Sequence, residues 1–399
     1  MKILVINKFL YPKGGAETYL LALSKLLRQD GHEVIYFSQQ NKKNISASTA
    51  KYFLPDLDLS GQNKKNILGL GRIFWSFSAQ KKLDQLIKTE KPDLVHLHNI
   101  YHQISPSILK TIKKHNLPVV MTVHDFKLVK HDYTLRADGQ KTRHKNSLAI
   151  DLLLKAEMTF HKLLKIYEKN IDLFIAPSEF VKKELLKKGF DEKKIIVVPH
   201  FIDLTTYPNS QNTEAGDYIL YAGRLDESKG VDLLIKVANR INNNLKLKIA
   251  GTGPQEKKLH ELVKKLGAEK KVEFLKHLDK QQLINVIKNC RFTVFPSRVH
   301  ETFGLGILES YACFKPTLAS RAGAFTEILQ DGQTGILFEV NDAIGLKKII
   351  ETLWNGPSLA VMGKKGRKLV EQKYQPQKHL EQILNIYNNL KDEKNSAGN

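Results

Sequence analysis

The sequence predicts an α/β protein of two domains, each a doubly wound parallel sheet with helices on both faces. Three observations predict it: a length of 399 residues, short β-branched runs alternating with helical patterns, and one polar stretch between two complete sets of such runs. A chain this long exceeds one ordinary hydrophobic core and suits two α/β domains of about 150–200 residues each. Alternation implies parallel pairing, because parallel neighbours need a crossover and crossover helices cover the sheet.

The chain opens on Lys2–Ile6, an apolar run that fits a strand buried on both faces and is too short for a signal-peptide core. The first half adds strands at Glu33–Phe37, Leu94–Leu97, Val119–Val123, Leu173–Ala176 and Ile195–Val198. The second half repeats the pattern at Tyr218–Ala222, Lys246–Ala250, Val272–Leu275, Phe292–Phe295, Thr317–Ala319 and Gly335–Phe338. Helical spacing falls between them, as at Glu17–Leu27, Val231–Arg240 and Leu305–Tyr311. The polar stretch Asp203–Asp217, with Pro208, Asn209, Ser210 and Gly216, reads as the linker between domains at 1–203 and 204–373. Asn41–Lys65 and Lys127–Asn146 read as long loops, and the polar tail 391–399 as disordered.

Composition narrows the class. At 42% hydrophobic and 26% charged the chain is globular and not disordered. No apolar run approaches the roughly 18 residues of a membrane span. Cys290 and Cys313 sit among apolar neighbours without metal-like spacing, so buried thiols in a reducing cytoplasm are expected. The net charge of +22 is uneven: residues 1–200 carry 34 Lys/Arg against 19 Asp/Glu, and residues 201–399 carry 29 against 22. Such a surface attracts nucleic acid, anionic lipid or phosphate-bearing substrates, and charge alone does not choose among them.

Two segments carry the chemistry. His300-Glu301-Thr302-Phe303-Gly304-Leu305-Gly306-Ile307-Leu308-Glu309 follows an apolar strand and the turn Pro296-Ser297, and it opens a helix. Gly304 and Gly306 let backbone approach a ligand, and the helix start offers free N–H groups to a diphosphate or its sugar. Glu301 could accept hydrogen bonds from sugar hydroxyls, and Glu309, one turn into the helix, could hold a ribose diol. The plainer readings are a helix cap and a solvated helix residue. The second segment, Gly223-Arg224-Leu225-Asp226-Glu227-Ser228-Lys229-Gly230, leaves a strand and enters a helix. Arg224 and Lys229 there stand where open α/β sheets bind ligands, and could neutralise a pyrophosphate. The plainer reading is a basic loop in solvent.

Gly223-Arg224-x4-Lys229-Gly230 and Glu301-x7-Glu309, about 70 residues apart in the second half, resemble the retaining glycosyltransferases of the GT-B fold, family 4, also called group 1. The resemblance covers nearly the whole chain. Gly14-Gly15-Ala16-Glu17 matches the family's glycine loop, and Thr122-Val123-His124-Asp125 matches the place where the family keeps a histidine near the transferred sugar. Pro296-Ser297 and Pro316 also fall in register. The resemblance implies two Rossmann-like domains facing across a cleft, with a C-terminal helix at 374–390 joining the first domain. It implies Glu301, His124, Arg224 and Lys229 in catalysis. Gly14, Gly15, Gly223, Phe303, Gly304, Leu305, Gly306 and Glu309 would bind substrate. No metal or further cofactor is implied; the co-substrate is a UDP- or GDP-type nucleotide sugar. The expected acceptor is a glycan or lipid-linked molecule, and an anionic membrane is a candidate partner of the basic first half. No nucleic acid is expected, and the expected location is the cytoplasm, including its membrane face. Relatives with a segment like His124-Asp125-Phe126 often carry cysteines next, whereas Lys127–Tyr133 has none, so acceptor identity does not carry over.

Competing motifs are weaker. Gly251-Thr252-Gly253 is half a dinucleotide fingerprint with Glu256 at the third glycine position. Asp56-Leu57-Asp58 lies in a polar loop and reads as solvated turn residues. His96-Leu97-His98 puts two imidazoles on one face without a third ligand, so a structural or cleft-lining role is expected. Phe74, Trp75 and Phe77, beside Arg72, Lys81 and Lys82, are expected in the core, with an interfacial helix as the alternative. The rival functions are an epimerase or phosphorylase on the same architecture and a non-catalytic anion-binding module.

Overall fold

The computed structural model describes residues 1–56, 70–140, 148–209, 216–241, 244–354 and 356–397. It divides into two compact units. One holds Met1–Tyr133, the later stretch ending at Pro199, and the chain from Gln377 onward; the other holds His200–Pro376 and a short segment beginning at Thr134. The division thus falls at Pro199/His200, a few residues before the linker read from the sequence.

In the first unit, β1 (Lys2–Ile6), β2 (Glu33–Phe37), β3 (Leu94–Leu97), β4 (Val119–Thr122), β5 (Leu173–Ala176) and β6 (Ile195–Val197) form a parallel sheet ordered β2-β1-β3-β4-β5-β6. Ile3, Leu4, Val5 and Ile6 are all buried, which explains the unbroken apolar run: helices cover both faces. Those helices are α1 (Gly15–Gln29), α2 (Leu70–Phe74), α3 (Phe77–Glu90), α4 (Ile108–Lys114), α5 (Leu148–Leu163), α6 (Ile166–Asn170) and α7 (Glu179–Lys187). Strand order reverses between β1 and β3, so their carboxyl ends, leading into the glycine loop and His96–His98, flank a switch point.

The second unit pairs β7 (Tyr218–Ala222), β8 (Lys246–Ala250), β9 (Val272–Lys276), β10 (Thr293–Phe295), β11 (Thr317–Ser320) and β12 (Gly335–Phe338) in the order β12-β11-β10-β7-β8-β9, again parallel. Its helices are α8 (Val231–Asn239), α9 (Glu256–Lys265), α10 (Lys280–Asn289), α11 (Leu305–Ala312), α12 (Phe325–Ile328), α13 (Ala343–Trp354) and α14 (Ser358–Lys373). The reversal here lies between β7 and β10, whose carboxyl ends carry Gly223-Arg224 and Pro296-Ser297. Both segments therefore leave the sheet at its switch point.

Three expectations are corrected. The tail from 391 is not disordered through its described part: α15 (Pro376–Ala397) continues past it, with Lys391 paired to Asp93 at 3.0 Å and Lys394 to Asp172 at 3.3 Å. Phe77 is not core. Ser76 caps α3 by accepting a hydrogen bond from the Ala79 N–H, and Phe77, at the first helical position, is 77% exposed. The Lys127–Asn146 loop is not wholly irregular, since Arg136 bridges Val299 in antiparallel register. Asp58 lies outside the described residues. Cys290 and Cys313 are buried and unbridged.

Candidate functional site

In the second unit the site is assembled by two turns. After β7, the Tyr221 hydroxyl donates to the Arg224 carbonyl (2.9 Å), and the Leu225 N–H reaches Thr252 O (3.0 Å), which fixes the backbone while the Arg224 side chain stays exposed. Asp226 then caps a short turn, Glu227–Lys229, by accepting from the Ser228 N–H. Gly230 ends that turn at φ 68°, and a Cβ there would run into the Pro296 carbonyl, so only glycine lets α8 start this close to β10.

The second turn brings Glu301 back to the first. Lys229 Nζ lies 2.6 Å from Glu301 Oε1, and the Ser297 hydroxyl donates to the same oxygen at 2.7 Å. The Arg298 N–H donates to Ser228 O (2.7 Å), tying the two turns together. Glu301 does not cap a helix: α11 starts at an N-cap Gly304 with no side-chain cap, and φ 146° at Gly304 requires glycine. Phe303 turns its ring into the core against His200 (5.0 Å between ring centroids) and Tyr374 (5.9 Å), leaving only its backbone for a ligand. Leu305 and Gly306 open α11, whose first N–H groups have no intrahelical acceptor. Glu309 is half-buried on α11, and burial pushes its carboxyl up to about 7, against a smaller pull from Lys280. Its carboxylate makes no hydrogen bond or ion pair with a described residue.

The structure also shows what sequence reading missed. The segment from Thr134, read as part of a first-domain loop, packs in the second unit along Arg298–His300. Ala137 N–H donates to Arg298 O (2.8 Å) and His300 N–H to Leu135 O (2.7 Å), just ahead of Glu301. Arg136 is paired with Asp138, and Arg298 clasps Asp232 at 2.7 and 2.9 Å. A polar cavity of about 610 Å³ lies beside these groups, lined by Arg136, Asp226, Asp232, Gln255, Lys258 and Arg298, and it excludes Lys229 and Glu301. No local sequence signal marks the stretch from Thr134 as one that packs in the second unit.

In the first unit, Gly14 is the N-cap of α1 and Gly15 its first residue, both exposed. Glu17 is buried beneath them, 3.4 Å from Asn7 Nδ2, and burial raises its pKa. His124 Nε2 lies 2.8 Å from His98 Nδ1, and their rings stack. Burial lowers the His124 pKa to about 3, so it is neutral near pH 7. A hydrogen bond to a sugar remains open to it, whereas a share in proton movement does not suit so weak a base. His96 is structural, bonded to Tyr387 (2.6 Å) and Thr122 (2.7 Å). Among the described residues, no three His, Cys, Asp or Glu side chains cluster as a metal site, and no helix is long and apolar enough to cross a membrane.

Comparison with known proteins identifies the family and the fold. Residues 205–369 match the family model described as glycosyl transferases group 1, and residues 13–206 match glycosyltransferase family 4. An uncharacterized glycosyltransferase of Methanocaldococcus jannaschii is 28% identical over 80% of this chain and 82% of its own. The N-acetyl-alpha-D-glucosaminyl L-malate synthase of Bacillus anthracis is 22% identical over 96% and 97%. Among solved structures, Anabaena HepE in complex with UDP and glucose has a TM-score of 0.74 at 17% identity, covering 98% of this chain and all of that one. At that identity the likeness shows the fold, which is GT-B.

Proposed function

The chain belongs to the group 1, family 4 glycosyltransferases, and from that premise we propose that it moves a hexose-type sugar from a nucleoside diphosphate donor to a glycan or lipid-linked acceptor, with retention and without a metal ion. One observation carries the reading: Lys229, Ser297 and Glu301 meet, with Arg224 on the same turn as Lys229, where two strands end at the switch point of the second sheet. Two cations at that edge would stabilise charge building on the departing diphosphate, the task a metal ion performs elsewhere. Glu301 would orient sugar hydroxyls and stabilise the cationic sugar-like transition state, and Glu309 would hold the ribose. The Gly304–Gly306 backbone would receive the sugar or phosphate, with Gly14 and Gly15 facing acceptor and phosphate and His124 contacting the sugar. UDP is the first nucleotide to try, because HepE was crystallised with UDP and glucose. No cofactor beyond the donor is needed, and a cytoplasmic setting supplies such donors.

The test is a thermal-shift screen against nucleoside diphosphates and their sugars. Ligand at 100 times its dissociation constant should stabilise by about 2.7 kcal/mol. Product NMR then reads the anomeric configuration. No stabilisation by any nucleoside diphosphate, or an inverted product, would overturn the reading. Conversion of the donor with no acceptor present would favour an epimerase.

A further inference from the structure

Helix α5 is built inside out. Its two acidic residues, Asp151 and Glu157, face the interior: Glu157 is fully buried, salt-bridged to Lys127 at 2.5 Å and 3.3 Å from His161 Nδ1, and Asp151 pairs with His131 at 2.9 Å. The opposite face turns Leu152 and Leu163 into solvent, 69% and 79% exposed. Among the described residues ten large hydrophobic side chains are exposed, and six of them, Phe77, Ile150, Leu152, Phe160, Leu163 and Leu164, lie on α5, just after it, or at the start of α3. α5 adjoins the α2–α3 corner, since its Phe160 packs edge-on against Phe74 (5.8 Å) and His161 bonds the Phe74 carbonyl (3.0 Å). Water-facing helices carry the reverse pattern, so this face is shaped for something apolar.

The charges name the occupant. Lys162 and Lys165 flank the apolar stripe and are exposed, with no ion pair to a described residue, whereas Lys155, also exposed, is paired with Asp151 at 2.7 Å. Lys110 lies over the Trp75 ring at 4.9 Å, completing an aromatic and cationic rim. A second copy docking here about a two-fold axis would set this patch of lysines against itself, a like-charge contact that costs affinity. Anionic lipid meets both demands: headgroups neutralise the lysines while the leucines and phenylalanines enter the boundary of the acyl region. We propose that α5 and the α2–α3 corner dock the protein on an anionic membrane surface, with the helix lying in the interface. This goes beyond the transferase reading and does not depend on it.

Flotation of the full-length protein with phosphatidylcholine vesicles, with and without phosphatidylglycerol, tests it. The protein should float with the mixed vesicles, less so at high salt and far less with phosphatidylcholine alone. The Leu152→Glu/Leu163→Glu variant should lose at least tenfold in vesicle affinity while its thermal unfolding stays unchanged, both positions being already exposed. Lys162→Glu/Lys165→Glu should lose binding to the mixed vesicles as well. Absence of flotation with the mixed vesicles overturns the proposal. If sedimentation then shows a dimer that the leucine variant breaks, the face belongs to a second copy. Equal, salt-insensitive binding to both vesicle types overturns the choice of anionic lipid.

Discussion

Lys229 and Glu301 neutralise each other, so a phosphate that engages Lys229 must compete with a carboxylate 2.6 Å away. Arg224 has no such partner among the described residues. The two cations should therefore respond differently to removal, although the sequence presents them as equals. Arg224→Ala is expected to weaken UDP binding by about 1.5–3 kcal/mol, the worth of a charge-assisted hydrogen bond. Lys229→Ala should cost less, because the bond gained to phosphate replaces one already made to Glu301. Titration calorimetry of both variants decides this, and unaltered affinity in both would remove the pair from the site. Glu301→Gln frees Lys229, so donor affinity should hold or rise while turnover falls about 100-fold, or about 2.7 kcal/mol. A fully active Glu301→Gln enzyme would exclude the sugar contact. Glu309 adds a pH dependence. Its folded pKa, about 7, is raised from an ordinary 4.5, so its contribution to stability is fully present below 4.5 and is lost as pH rises through 7. Only the ionised carboxylate accepts both ribose hydroxyls, so UDP affinity should fall as pH drops below about 7. Glu309→Gln should bind more weakly above pH 7 and lack this dependence; measured in parallel, it cancels the nucleotide's own titration. Parallel profiles for the two proteins would sink the ribose contact.

Turns and helix starts place these side chains, and the Gly230 turn is the sharpest case. A left-handed conformation costs a residue with a Cβ about 1–2 kcal/mol, and here the Cβ also meets the Pro296 carbonyl. Gly230→Ala is therefore expected to lower stability by about 2 kcal/mol or more and to shift Lys229. A wild-type denaturation midpoint would contradict that account of the turn. The strands around this turn were legible because burial on both faces writes a continuous apolar run, as in β1 and β7. Gly223–Gly230 and Glu301–Glu309 were legible because strand-end glycines and charges form short patterns. The rest depends on contacts distant in sequence. Nothing local to Lys229 shows that Glu301, 72 positions later, neutralises it, and nothing near Thr134 shows that the segment packs along Arg298–His300. Phe77 departs from the inward position that helical spacing implies, because the Ser76 cap sets it at the first helical position. The polar tail was misjudged for a similar reason: Lys391 and Lys394 look solvated until Asp93 and Asp172 come within reach.

At the scale of the whole molecule, the proposal that two cations serve where a metal ion would otherwise stand implies that turnover should survive excess chelator. Loss with chelator and recovery with magnesium or manganese would overturn that assignment. The chain's division into units makes a separate demand, because the first unit is completed only by residues from its far end. In α15, Leu380, Ile383, Ile386, Tyr387 and Leu390 are buried. The Tyr387 hydroxyl bonds His96 at 2.6 Å, and His379 Nε2 lies 2.9 Å from the Tyr19 hydroxyl. Full burial of each large apolar side chain is worth about 1.5–3 kcal/mol, so deleting α15 forfeits on the order of 10 kcal/mol. That equals the whole stability of an ordinary domain, about 5–15 kcal/mol. The deletion would also take Tyr387 from His96, held neutral by burial with a pKa of about 3, and His379 from Tyr19. A chain ending at Gln375 should therefore lose the first unit's cooperative unfolding. The second unit, whose core runs from Ile202 to Tyr374, should keep its own transition. Calorimetry should show one surviving transition that UDP still raises, and limited proteolysis should degrade residues 1–199 first. Two intact transitions in the truncated chain would show that α15 only decorates the first unit.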